Sequence, residues 1–144
     1  MRKFAGLAVA ASVIALLAFA GSALAGSKTI KQTGQIVGDK ATNVKLRVKV
    51  KNGEAIKVSG FAADGVKTRC DGDIVRFKYN SLSPIPVVSD KFKIKLVGDA
   101  GAVLKVQGKV KDHGTAAKGS LKTNKFEAGG KTCKSPKQKF KTAA

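Results

Sequence analysis

Lysine alternates with large apolar residues along much of this chain, and this alternation constrains the fold more than any other feature. It is clearest in KFKIKLVGDAGAVLKVQGKVK, the segment Lys91–Lys111. Successive side chains of a β-strand point to opposite faces, so each half of the segment has one apolar face and one face made almost entirely of lysine. The stretch between the halves, Gly98–Gly101, has the composition of a turn. The segment therefore predicts a β-hairpin.

The same period of two recurs along the rest of the chain after residue 40. Alternating stretches run from Asn43 to Lys51, from Val66 to Cys70, from Val75 to Tyr79, from Ala117 to Lys122 and from Gln138 to Thr142. Residues 26–40 hold few large apolar side chains and predict a short edge strand, whereas residues 124–132 predict a glycine-rich loop. Pro84 and Pro86 cannot donate to a strand ladder and predict an edge or a crossover.

About nine or ten short strands separated by turn signals, with no helical pattern after residue 25, predict an all-β fold. The architecture expected is an antiparallel β-sandwich or a partly open barrel. No repeat unit and no second domain is indicated, so residues 26–144 are expected to form one domain.

The Asn52-Gly53 pair is a strong signal for a hairpin turn, and burial constrains the register of that hairpin. A two-residue loop without a bulge would place Lys57 opposite Val48, on the buried face. Adding Glu54 to the loop instead places Val58 opposite Val48. Burial selects the register wherever one face of a sheet is dry, so a three-residue loop or an equivalent bulge is expected.

The first 25 residues have the composition of a secretory signal peptide. The basic pair Arg2-Lys3 precedes an apolar run over residues 4–20 and the small residues Ala23-Leu24-Ala25. This order predicts a leader at residues 1–25, cleaved between Ala25 and Gly26, and hence a secreted protein, extracellular or associated with the cell envelope. The alternative is an uncleaved anchor helix, although the apolar run is shorter than a membrane span of ~20 residues. No transmembrane segment is predicted in the mature protein.

Cys70 and Cys133 are the only cysteines in the chain. Export would place them in an oxidising compartment, where a cysteine pair normally forms a disulfide. Closing a loop of about 64 residues contributes about 4 kcal/mol in the chain-entropy model. Two free thiols are the alternative. A metal site is not expected, because neither cysteine has another Cys or a His at ligand spacing.

A series of short motifs spans residues 44–142. In chain order they are Cys70-Asp71-Gly72 at the end of an apolar strand, Ile85-Pro86-Val87, Lys91-Phe92, Val106-Gln107-Gly108-Lys109-Val110, Ala117-Lys118-Gly119 and a closing Cys133. This series resembles that of a group of small secreted β-sandwich proteins common in actinobacterial genomes. The resemblance implies a β-sandwich fold and implies no activity for any residue. Phe140 stands where that group usually has tryptophan, and the lysine density here is higher.

The sequence indicates no catalytic constellation, metal site or cofactor. His113 is the single histidine and lies in an Asp-His-Gly turn signal, where a solvated loop residue is expected. General acid–base catalysis needs two carboxyls that converge in a cleft, and the nine carboxylates are scattered, mostly beside glycine in turns. Asp71 and Asp73 flank Gly72, but calcium needs six or more oxygen ligands, so a turn is expected there. Lys134-Ser135-Pro136-Lys137 is similar to basic motifs of DNA-binding tails, yet beside a disulfide it predicts a turn with solvated lysines.

The net charge carries the one functional signal. The chain has 28 Lys and Arg against nine Asp and Glu, a formal charge of +19, of which Arg2 and Lys3 belong to the predicted leader. A soluble surface usually mixes both signs, whereas here carboxylates are nearly absent from the predicted strands. Lysine far outnumbers arginine, and lysine attracts anions as a hydrated point charge rather than through a bidentate fork. We therefore predict a non-catalytic module that binds anionic polymers of the cell envelope or surroundings, without sequence-specific recognition of nucleic acid.

The residues predicted to form the basic faces are the outward ones of the alternating stretches: Lys45, Arg47, Lys49, Lys91, Lys93, Lys95, Lys105, Lys109, Lys137, Lys139 and Lys141. Two alternatives remain. One is a small secreted hydrolase or inhibitor with a site built from loops. The other is a structural domain whose lysines only maintain solubility and block aggregation between strand edges.

Overall fold

The structure, a computed structural model, describes residues 26–144, so the predicted leader lies outside the described residues. The strands are β1 (Lys28–Ile36), β2 (Asp39–Lys51), β3 (Glu54–Cys70), β4 (Asp73–Ser81), β5 (Ile85–Pro86), β6 (Lys91–Val97), β7 (Val103–Lys111), β8 (Ala116–Thr123), β9 (Phe126–Ala128), β10 (Lys131–Lys134) and β11 (Gln138–Ala143). Two 3-10 turns, Asp99–Gly101 and Asp112–Gly114, connect strands. Within residues 26–144 no helix is long and apolar enough to cross a membrane. The predicted all-β fold is confirmed, with eleven strands rather than nine or ten.

All eleven strands belong to one antiparallel sheet, in the order β6-β7-β8-β11-β1-β2-β3-β10-β9. The two remaining strands, β4 and β5, pair with β3. Residues Phe61–Ala63 pair with β2 and β4 at the same time, so these two strands lie on opposite edges of β3. No pairing among the described residues joins β6 to β4, β5 or β9, so the sheet is not closed into a barrel.

The sheet curls around a single hydrophobic core. Phe61 on β3 and Phe140 on β11 are three strand intervals apart, about 14 Å in a flat sheet, yet their ring centroids are 6.1 Å apart. Phe77 on β4 and Phe126 on β9 meet edge to face at 5.5 Å in the same way. The large apolar residues on the inward face of the β6–β7 hairpin are buried, as the alternation predicts: Phe92, Ile94, Leu96, Leu104, Val106 and Val110.

The first segment is not the edge strand that the sequence predicts. β1 lies in the middle of the sheet, paired with β11 on one side and β2 on the other. The low hydrophobicity of β1 led to the wrong prediction because a polar residue, Gln32, occupies an inward position and is fully buried. The Gln32 Nε2 donates to the carbonyl of Gly114 at 2.6 Å, and its Oε1 accepts from Thr142 at 2.7 Å. A satisfied polar side chain thus fills a core position that the pattern assigns to an apolar residue.

The β2–β3 hairpin has the two-residue Asn52-Gly53 turn, so the predicted three-residue loop is wrong. Two bulges in β3 instead correct the register, as the alternative form of the prediction required. The first bulge shifts the pairing so that Val48 lies opposite Val58, the apolar pair expected, and the second follows that pair. The residue absorbed by the first bulge, Ile56, is 37% exposed.

Two further local predictions are wrong. Residues 124–132 are not a loop, because β9 and the start of β10 form a short hairpin there. Val75 is 38% exposed although it lies on the same face of β4 as Phe77 and Tyr79, because β4 is an edge strand that pairs with β3 only. Pro86 lies in the short strand β5 beside β3, in agreement with the predicted edge position.

Cys70 and Cys133 form the predicted disulfide. They are also directly opposite each other in the β3–β10 pairing, with their Cα atoms 4.0 Å apart. The bond therefore links the end of β3 to the short β9–β10 hairpin.

Candidate anion-binding groove

Four adjacent strands, β6, β7, β8 and β11, carry lysine at most outward positions. Lys91 lies opposite Lys109, Lys109 opposite Lys118, and Lys118 opposite Lys141. These four exposed lysines form a row across the four strands, called the first row below. Side chains directly opposite each other on one face have Cβ atoms about 4.5–5.5 Å apart.

A second row runs parallel to the first one. Lys95 lies opposite Lys105, and Lys105 lies opposite Lys122. Lys137, next to the start of β11, lines the same depression as these three lysines. The second row is four residues along the strands from the first row, a separation of about 13 Å.

The middle row, between the two lysine rows, is partly neutral. It consists of Lys93, Gln107, Ser120 and Lys139, in that order across the sheet. The two central members, Gln107 and Ser120, lie directly opposite each other on β7 and β8. Two charged rows therefore flank a centre of amide and hydroxyl groups.

Three adjoining depressions merge into one groove along these rows, called the lysine groove below. The depression around Lys95 and Lys105 shares Lys93, Gln107, Ser120 and Lys137 with the one around Gly108 and Gly119. It shares Lys122 and Lys137 with the one around Pro136. The depression around Pro136 continues beyond these four strands to Lys134 and Arg69, which lie opposite each other in β10 and β3. The cations that line the groove are Arg69, Lys91, Lys93, Lys95, Lys105, Lys109, Lys118, Lys122, Lys134, Lys137, Lys139 and Lys141, and no lining residue is Asp or Glu.

Two glycines and two phenylalanines support the groove from the inner side of the sheet. Gly108 and Gly119 are opposite each other, with Phe92 beside the first and Phe140 beside the second. A Cβ on Gly108 would lie 2.6 Å from the Phe92 ring, and a Cβ on Gly119 would lie 2.8 Å from the Phe140 ring. The two aromatic rings therefore occupy space that side chains at the glycines would need.

The ion pairs of the described residues lie outside the lysine groove. They join Arg76 to Asp39, Lys78 to Asp64 and Lys131 to Asp73. The Asp73 carboxylate accepts a hydrogen bond from Lys131 at 2.6 Å, which raises the pKa of Lys131 and lowers that of Asp73. None of the three carboxylates in these ion pairs lines the lysine groove.

The structure divides the predicted basic residues into two groups. Eight of them line the groove: Lys91, Lys93, Lys95, Lys105, Lys109, Lys137, Lys139 and Lys141. The other three, Lys45, Arg47 and Lys49, lie on β2 and line none of the three depressions. Arg47 lies over Gly60 in the neighbouring strand, beside Leu82.

Four of the twelve cations that line the groove are absent from the predicted set of basic residues. Lys118 and Lys122 belong to the same alternation as the predicted lysines, and that pattern is sufficient to find them. Arg69 and Lys134 come together only through the β3–β10 pairing, which local sequence does not specify.

The lysine groove does not include the other polar features singled out in the sequence, which are His113 and the pair Asp71 and Asp73. The Nδ1–H group of His113 donates a hydrogen bond to the Gly53 carbonyl oxygen at 3.0 Å, and His113 lines a separate cleft with Glu54, Asp90 and Asp112. Within residues 26–144 no three potential metal ligands lie close enough to hold an ion. Asp71 accepts from the Thr132 amide at 3.2 Å, as a turn residue does.

The basic Ser-Pro motif does not form an exposed tail. Ser135 is fully buried, and its hydroxyl lies 2.7 Å from the Thr68 hydroxyl. Its backbone amide donates to Thr123 at 2.7 Å. The motif spans the end of β10 and the short segment that leads into β11. Ser135 fixes it to the core, whereas Lys134, Pro136 and Lys137 are exposed.

No family model, no curated protein and no solved structure matches this chain.

Proposed function

We propose that this protein is a non-catalytic, secreted module that binds anionic polymers in the lysine groove. The observation that carries the proposal is the groove itself, in which twelve cations and no carboxylate line one continuous surface. When several lysines replace the condensed counterions of a polyanion, the release of those ions supplies affinity. No shaped pocket is needed for this kind of binding. The composition of residues 1–25 and the Cys70–Cys133 bond support an extracellular or envelope location.

Solubility alone is a weaker explanation for these lysines. Like charges directly opposite each other in a sheet are destabilising, and the first row places four lysines side by side. A surface selected for solubility spreads both signs of charge rather than grouping one sign. The grouping therefore favours an anionic partner that neutralises the rows when it is bound.

The first test is the salt dependence of binding to a polyanion such as dextran sulfate or polyphosphate. If several acidic groups are neutralised, affinity should fall by roughly 10³ or more between 50 and 200 mM salt. Fluorescence anisotropy with a labelled polymer measures this directly. Binding that ignores salt, or no binding at low salt, would leave solubility as the explanation.

The second test asks whether the groove, rather than total charge, is responsible. The triple variant Lys91→Gln, Lys93→Gln, Lys95→Gln removes three charges from the groove. The matched triple Lys31→Gln, Lys45→Gln, Lys51→Gln removes three exposed charges from β1 and β2. The groove triple should lower the slope of log affinity against log salt by about 2, whereas the control should change it by much less. Equal losses in the two variants would show that only net charge matters.

A further inference from the structure

The centre of the lysine groove differs chemically from its borders. Gln107 is exposed, Ser120 is half-buried, and neither side chain makes a hydrogen bond to another described residue. An amide and a hydroxyl each donate and accept hydrogen bonds, whereas an ammonium only donates. Two groups that both donate and accept are thus left open to a ligand, between two rows of positive charge.

We propose that the occupant of the groove is an acidic polysaccharide that lies along the middle row, with sugar hydroxyls on Gln107 and Ser120. This inference rests on the proposed function and names the class of polymer. Sugar hydroxyls both donate and accept, so they complement an amide and a hydroxyl about 5 Å apart. The acidic groups of the same chain reach the two lysine rows, each about 7 Å to one side.

The dimensions of the groove agree with an extended chain. The middle row crosses four strands, a length of about 14 Å, and the basic lining continues beyond it to Arg69. Both flanks of the chain meet lysine, so acidic groups on either side of the polymer are neutralised. A compact anion would use only one part of this surface.

Single-stranded nucleic acid fits less well. Proteins that bind it without sequence preference stack bases on exposed aromatic rings. Phe92 and Phe140, the aromatic residues nearest the groove, are buried on the inner side of the sheet. Charge and hydrogen bonds are therefore the means of recognition that the groove offers.

The inference is tested with four polyanions of similar length, using the disulfide-bonded protein at one low salt concentration. Dextran sulfate and polygalacturonate are acidic polysaccharides, whereas polyphosphate and oligo-dT carry no hydroxyls along their backbones. The double variant Gln107→Ala, Ser120→Ala should lower affinity for the two polysaccharides by about tenfold, since two hydrogen bonds are lost. Its affinity for polyphosphate should stay within about twofold of the unmodified protein's, because the lysines are unchanged.

The matched control is the double variant Lys105→Gln, Lys109→Gln, because these two lysines flank Gln107 on the same strand. This control should weaken binding to all four polymers. An equal effect of the alanine variant on all four, or none on any, would overturn the inference and leave the proposed function intact. Tighter binding of oligo-dT than of either polysaccharide would assign the groove to nucleic acid instead. If none of the four is bound, both proposals fail. Both alanines replace outward side chains, so unchanged thermal unfolding verifies that the variant is folded.

Discussion

Buried hydroxyl groups in this protein fall into partnered and unpartnered sets. Thr142 donates to Gln32, and Thr68 pairs with Ser135, each at 2.7 Å. The Tyr79 hydroxyl is buried without a hydrogen-bond partner among the described residues. Burial also raises the pKa of the Tyr79 phenol above its ordinary value of 10.0, because the charged form is poorly solvated there. An unpartnered polar atom costs stability, whereas a partnered one specifies the packing.

Replacing each kind of hydroxyl should therefore have opposite effects. Tyr79→Phe removes a desolvated group and should raise the free energy of unfolding by about 1 kcal/mol. Thr142→Val leaves the Gln32 oxygen without its donor and should lower it by about 1–3 kcal/mol. Urea titrations of the two variants measure both changes. A destabilised Tyr79→Phe variant would reveal a partner for the hydroxyl.

One carboxylate should contribute to the pH dependence of stability. A hydrogen bond from Arg76 at 2.9 Å holds the pKa of Asp39 below its ordinary value of 3.8, although partial burial opposes this. Because the folded state lowers this pKa, the stabilisation is present above pH 3.8 and is lost as the pH falls through the folded value. Asp39→Asn should be less stable than the unmodified protein near neutral pH by at most about 1 kcal/mol, since Arg76 is partly exposed.

Unfolding curves at several pH values check the sign of this effect. The difference between the two proteins should shrink as the pH falls below 3.8. A difference that stays constant down to strong acid would mean that Asp39 acts through its backbone turn rather than its charge.

At the scale of the strands, the glycine pair beneath the groove has no room for side chains. In Gly119→Ala the added Cβ would clash with the backbone carbonyl oxygen of Gln107. It would also lie 2.7 Å from the Gly108 Cα and 2.8 Å from Phe140, so the backbone must move. The expected cost is about 1–3 kcal/mol, typical of overpacking in a well-packed core.

Gly60→Ala is the matched control for this prediction. Gly60 is also a strand glycine, buried where Gly119 is half-buried, but a Cβ there would meet its nearest atom, Cδ of Arg47, at an ordinary 3.5 Å. It should be tolerated, with a change of less than about 1 kcal/mol. Thermal melts of both variants give the comparison, and equal destabilisation would show that the contacts beneath the groove are not what limits Gly119.

For the whole molecule, the disulfide supports one of the two shortest strand pairings in the sheet. β10 pairs with β3 at two positions only, and one of these is the Cys70–Cys133 pair itself. A hydrogen bond from the Thr132 amide to Asp71 adds to this attachment. The β9–β10 hairpin is thus the part of the molecule that depends most on the covalent bond.

The double variant Cys70→Ser, Cys133→Ser should lose up to about 4 kcal/mol of stability, the chain-entropy value for a loop of this length. Hydrogen exchange should show the β9–β10 hairpin losing protection before β1 and β2. A reducing agent should lower the unfolding midpoint of the unmodified protein and leave that of the variant unchanged. Equal midpoints for the two oxidised proteins would mean that the bond contributes nothing.

The sequence by itself determines which residues face the core and which face solvent. Period-two alternation is a local property of an extended backbone, so Phe92, Ile94 and Leu96 are buried and the lysines between them are exposed. The pairing of the two cysteines and the large positive charge also follow without a structure. The local pattern does not predict burial where the burial depends on a hydrogen-bond partner elsewhere in the chain. Gln32 is an example, because Gly114 and Thr142 satisfy the hydrogen bonds of its buried amide.

Only the tertiary structure decides that the lysines form a groove. The strand β11 lies between β8 and β1, which places Lys141 beside Lys118 and completes the first row. It leaves Lys45, Arg47 and Lys49 on a different part of the surface. Strand order depends on which distant segments bury their apolar faces together, whereas alternation depends only on neighbouring residues, so the same lysine pattern is compatible with several surfaces until the strands are ordered.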